Sequence, residues 1–101
     1  MKLAVVVRRR AKADIRSTAQ HIAQDSPAAA IAFEAEIIAC FKRIGEHPAL
    51  GAPSGTFRKL RVSERFQNWL VYYRQLDTGT VEIVRVLHGA RDIGPFLGKP
   101  K

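Results

Sequence analysis

Two periods of hydrophobic and polar residues alternate along this chain, and they divide it into strands and helices. Leu3 to Val7 is a short apolar run rich in β-branched residues, which predicts a first strand that stops at Arg8, Arg9 and Arg10. From Ala11 to Gln24 the apolar positions Ile15, Ala19, Ile22 and Ala23 follow helical spacing, with Arg16, Gln20 and Gln24 on the other side. Asp14 falls in the first turn of that helix, where a negative charge suits the dipole. Asp25, Ser26 and Pro27 end one helix and start another, because Ser26 is a capping residue and Pro27 suits the first helical position, where no donor is wasted. A helical hairpin is expected.

The second helix, Pro27 to about Glu46, carries Ala30, Phe33, Ile37, Phe41 and Ile44 on one stripe, with Ile31 and Ile38 beside it. Two apolar stripes exceed what one buried face needs, which fits either a helix packed between its neighbour and the sheet or one whose second stripe receives a partner. Gly45 and His47-Pro48 close the helix, and Ala49 to Gly55 reads as a loop. Three strands follow, at about Arg58 to Ser63, Phe66 to Arg74 and Val81 to Leu87, the last two joined by the turn signal Asp77-Thr78-Gly79. Leu60 and Val62 alternate with Lys59 and Arg61, which gives the first of these strands a cationic face. The order β-α-α-β-β-β over residues 1–101 predicts a single α+β domain, an antiparallel-rich sheet with the helical hairpin packed on one face.

The closing strand is the most informative segment. Its β-branched run is that of a strand covered on both faces, with Ile83 and Leu87 expected on one side and Val84 and Val86 on the other. Arg85 interrupts it. An unpaired buried guanidinium is costly, so Arg85 must either pair internally or point into a groove shared with His88 and Arg91.

Charge sharpens this picture. The chain has 17 basic and 9 acidic residues, a formal net charge of +8, concentrated in residues 1–16 and 58–101, whereas 17–57 is slightly acidic. Such a balance suits an acidic or phosphate-bearing partner. The apolar share of 47% is that of an ordinary globular protein, and no run approaches the roughly 18 apolar residues of a membrane span. The three arginines after the first strand reverse the order of a secretory signal, and the single Cys40 agrees with a reducing compartment, so a cytoplasmic protein is expected.

Catalytic chemistry finds little support. His21, His47 and His88 lie on three different elements, Cys40 sits between Ile37 and Phe41 on the packed helix, and Glu34 and Glu36 point to different helix faces. No metal or cofactor is expected, and no glycine-rich phosphate loop is present. What remains is a set of cations and aromatics: Arg58, Lys59 and Arg61 on one strand, Trp69, Tyr72 and Tyr73 on the next, and Arg85, His88 and Arg91 at the end. The sheet could gather these on one concave face opposite the helices, a surface suited to nucleic acid. Trp69 and Tyr72 also suit a core.

The order of elements, with Ala11 followed by Asp14-Ile15, the Ser26-Pro27-x-Ala29-Ala30 helix start, His47-Pro48, Leu60-Arg61, Leu70-Val71-Tyr72-Tyr73-Arg74 and Val84-Arg85-Val86-Leu87-His88-Gly89-Ala90-Arg91-Asp92, resembles the ParE toxins of the RelE/ParE superfamily. The resemblance covers nearly the whole chain and implies a toxin neutralised by a cognate ParD-like antitoxin. The RelE-like branch of that superfamily cuts messenger RNA on the ribosome with strand lysines and arginines and a tyrosine near the carboxyl terminus. Here the strand position at which those nucleases carry arginine is Trp69, and Ile93, Gly94, Pro95, Phe96 and Leu97 stand where the tyrosine is expected. The ParE-like branch poisons DNA gyrase without being a catalyst, and this is the function the resemblance implies, with DNA contacted mainly through the antitoxin or the gyrase complex. A ribosome-dependent endoribonuclease and a non-toxic nucleic-acid-binding module are the alternatives.

The expected target surface is Arg85, His88 and Arg91, supported by Arg58, Lys59 and Arg61; the antitoxin, an extended acidic segment, is expected to meet Ile31 and Ile38. Where relatives start the first helix with serine or threonine, this chain has Arg8, a weaker cap.

Overall fold

The computed structural model describes residues 2–89. Its elements are β1 (Ala4–Val7), α1 (Arg9–Asp25), α2 (Pro27–Glu46), β2 (Ala52–Ser54), β3 (Phe57–Arg61), β4 (Trp69–Asp77) and β5 (Thr80–His88). The five strands form one sheet in the order β1-β5-β4-β3-β2, with β1 parallel to β5 and every other pair antiparallel. This is the α+β arrangement the sequence predicts. The expected loop at 49–55 contains the additional edge strand β2, where Pro53 is tolerated because an edge strand has no neighbour on its outer side. Gly55, at φ +64°, turns β2 into β3.

Ser26 serves both helices. Its amide donates to Ile22 O (2.9 Å), ending α1, while its hydroxyl accepts from the Ala29 amide (3.1 Å), starting α2 with Pro27 at the first position. The start of α1 is different: Arg8 is the N-cap residue, makes no side-chain capping bond, and the first turn has no acidic residue. Because the helix begins at Arg9, Asp14 lies beyond the first turn. The expectation that it serves the helix dipole is therefore replaced by the contact described below.

The core lies between the helices and one face of the sheet. Phe33, Ile37, Cys40 and Ile44 of α2 and Ala11 and Ala19 of α1 pack on Val71 and Tyr73 of β4 and on Val81, Ile83 and Val86 of β5. Burial of such side chains contributes roughly 1.5–3 kcal/mol each. Val71 and Tyr73 are two apart and share a face, yet their register partners are Val86 and Ile83, three apart. Val84 is the extra residue in β5, a β-bulge that changes the phase of the strand. The expected division, Ile83 with Leu87 against Val84 with Val86, is thereby corrected: Ile83 and Val86 both enter the core.

Tyr73 ties the β4 core to the chain that follows α2. Its hydroxyl donates to Pro48 O (2.9 Å) and accepts from the Gly51 amide (2.7 Å). A side chain at Gly51 would meet that hydroxyl at 2.7 Å and Lys59 O at 2.8 Å, so only glycine fits there.

Candidate target and antitoxin surfaces

β1 ends at Val7, opposite Ile83, and leaves the rest of the β5 edge without a strand neighbour. Asp14 of α1 takes over there. Its carboxylate accepts from the Val86 amide at 2.9 Å, and from Arg85 Nε and Nη2 at 2.7 and 2.8 Å, a forked pair. Arg85 is 7% exposed. The hydrogen bond it donates to Asp14 raises its pKa, against the opposing effect of burial, so the guanidinium remains charged. Of the two outcomes open to Arg85, internal pairing is the one observed. Its fork is turned on Asp14.

Beyond this pair lies a cleft of about 490 Å³ lined by Asp14, Ser17, Thr18 and His21 of α1 and by Trp69, Val86, Leu87 and His88 of the sheet. Trp69 and His88 are register partners whose rings meet edge to face at 5.0 Å and 89°. Trp69 also stands edge-on to Phe33, at 6.1 Å, which anchors it to the core. His21 and His88, from different elements, thus share one cleft. Among the described residues no group of three His, Cys, Asp or Glu side chains could hold a metal.

The remaining cations do not form one surface. Arg58 stands opposite Tyr73, on the core side of the sheet, and donates to Gly51 O at 2.7 Å. Lys59 and Arg61 alternate with Leu60, which packs on the core, and so stand on the opposite face, across from Tyr72 and Leu70. Arg91 lies outside the described residues. The face away from the helices carries a further network absent from the sequence expectations: Glu82 of β5 accepts from Arg8 (3.0 Å) and Arg74 (2.9 Å), and Arg74 lies over the Phe57 ring. The sequence cue for it was an acid, Glu82, within an otherwise apolar strand.

Cys40 is buried, and its thiol pKa is pushed up by that burial, with Arg43 opposing. It has the inert character expected of it. On the outer side of α2, Ile31 and Ile38 are 69% and 68% exposed, seven residues apart on one helix face, with exposed Ala35 between them. Large apolar side chains at such exposure form a ridge that the fold itself does not use.

The family model for the ParE toxin of type II toxin-antitoxin systems, parDE, matches residues 5–93. The chain belongs to that family and is the toxin member of a type II toxin-antitoxin pair. A search among curated proteins finds no match.

Proposed function

We propose that this toxin acts by binding DNA gyrase rather than by cutting RNA, and that a ParD-like antitoxin neutralises it in the cytoplasm. The observation that carries this reading is Trp69. At the strand position where the ribonuclease branch has arginine, an aromatic ring is wedged between Phe33 and His88. A phosphorane needs a cation at such a point, and an indole supplies none. Arg85, on the neighbouring strand β5, is held by Asp14.

The target contacts in this reading are Lys59 and Arg61 on the outer face and His88 at the cleft, together with Arg91, which lies outside the described residues, with Arg58 supporting the neighbouring loop. Arg85 fixes β5, the strand that presents His88. The antitoxin lays an acidic segment along α2, with apolar side chains on Ile31 and Ile38. Purified toxin added in parallel to gyrase supercoiling and to translating ribosomes tests the proposal. Loss of supercoiling with intact messenger RNA is expected; messenger RNA cleavage with unaffected gyrase would reject it.

A further inference from the structure

The positive charge of α1 is the part of the surface that neither the fold nor the proposed target site uses. Arg9, Arg10, Lys12 and Arg16 are exposed, and among the described residues none of their side chains makes a hydrogen bond or ion pair. Arg8 differs, because Glu82 holds it. The acid nearest in sequence, Asp14, is committed to Arg85 and does not neutralise them. Glu34 shares an open groove with Lys12 and Arg16 but pairs with neither. The positive end of the helix dipole adds to the same field, so the fold concentrates cations where the helix itself disfavours them.

We propose that Arg9, Lys12 and Arg16, with Arg10 beside them, form a docking stripe for the phosphate backbone of duplex DNA. Positions three and seven residues apart share one face of a helix. At 1.5 Å per residue the stripe is about 10 Å long, and a DNA strand carries one phosphate per roughly 3.4 Å of axis, so it spans about three phosphates.

The chemistry of the stripe selects this occupant. A single-stranded nucleic acid is gripped by stacking on aromatic rings, and the stripe has none. A membrane-surface helix needs an apolar face in the lipid, but Ala11 and Ala19 are in the core, with Ile15 and Ile22 packed against it. A folding acidic peptide needs apolar anchors, and among the described residues the exposed large apolar side chains, Val6, Ile31, Ile38, Leu50 and Leu76, all lie outside α1. Guanidinium and ammonium groups without such anchors suit backbone phosphates and read no sequence. The stripe would bring the toxin to DNA directly and stands independently of which enzyme is the target.

The test is fluorescence anisotropy of the full chain with a labelled duplex of arbitrary sequence, about 20 base pairs long, between about 50 and about 200 mM salt. The triple variant R9Q/K12Q/R16Q should keep its circular dichroism spectrum, bind at least about tenfold more weakly at the lower salt, and flatten the log-log salt slope by about 2.7. A folded triple variant with unchanged affinity and slope overturns the proposal. So does tighter binding of a single-stranded RNA of equal length, or loss of oligoglutamate binding in the triple variant while duplex binding is unaffected. K59Q/R61Q, on the sheet, should leave the slope contribution of the stripe in place.

Discussion

Asp14 and Arg85, 71 residues apart in sequence, meet through a forked pair of hydrogen bonds of 2.7 and 2.8 Å. The same carboxylate holds the Val86 amide, so one side chain substitutes for the strand that β5 lacks beyond β1. Removing it takes the forked acceptor from a buried cation and the acceptor from a backbone donor together.

Asp14→Ala should therefore destabilise the protein by about 3–5 kcal/mol, the range for breaking one partner of a buried ion pair. Equilibrium urea unfolding measures this. Asp14→Ala/Arg85→Met, with both charges removed, should recover part of the loss; a single variant as stable as the parent would show that the pair carries no structural weight.

A second prediction concerns Tyr73, whose hydroxyl joins Pro48 and Gly51. Tyr73→Phe leaves the Gly51 amide without its partner and should cost about 1–3 kcal/mol. Gly51→Ala should cost a similar amount, about 1–3 kcal/mol, because its methyl group collides with the same hydroxyl. Thermal unfolding of the two variants and of their combination tests the contact: the combined loss should fall short of additive.

Much of this architecture was legible in the sequence. Ser26-Pro27 marks the helix junction because one hydroxyl and one missing amide satisfy both helix ends, and that chemistry is local. Ala52-Pro53-Ser54 reads as loop because it is short, polar and interrupted by proline, features that only an edge position reconciles with a strand. The faces of β5 depart from simple alternation beyond Ile83 because a bulge at Val84 adds a residue that no alternation pattern announces. For the site, the sequence identified Arg85 as a residue needing an explanation but not its partner, since Asp14 is brought there by tertiary packing. Grouping Arg58 with Lys59 and Arg61 disregarded the strand period, which sends them to opposite faces.

Exposure of Ile31 and Ile38 separates binding from stability. Ile31→Ser/Ile38→Ser should change unfolding free energy by no more than about 0.5 kcal/mol per site, as surface substitutions do. Affinity for the antitoxin, read by calorimetry, should fall by at least about tenfold if these side chains are anchors. Unchanged affinity would move the antitoxin to another surface.

Alkaline pH should weaken the fold. Burial raises the pKa values of Cys40, Tyr72 and Tyr73 above their ordinary 9.0 and 10.0. The unfolded chain then releases these protons first, so it binds fewer protons than the folded chain and stability declines with rising pH. The contribution is full below pH 9.0 and is lost as pH rises past the ordinary values towards the higher folded ones. Urea midpoints should be level from neutral pH up to the thiol range and fall above it. Cys40→Ala should remove the earliest part of the decline.

Gyrase poisoning is read from the supercoiling of relaxed plasmid by purified gyrase titrated with the toxin. Inhibition should rise with toxin, leave cleaved DNA trapped on the enzyme, disappear when the antitoxin is added first, and be reduced in Lys59→Ala/Arg61→Ala although that variant remains folded. Full supercoiling at every toxin concentration, by toxin that still binds its antitoxin, would contradict it.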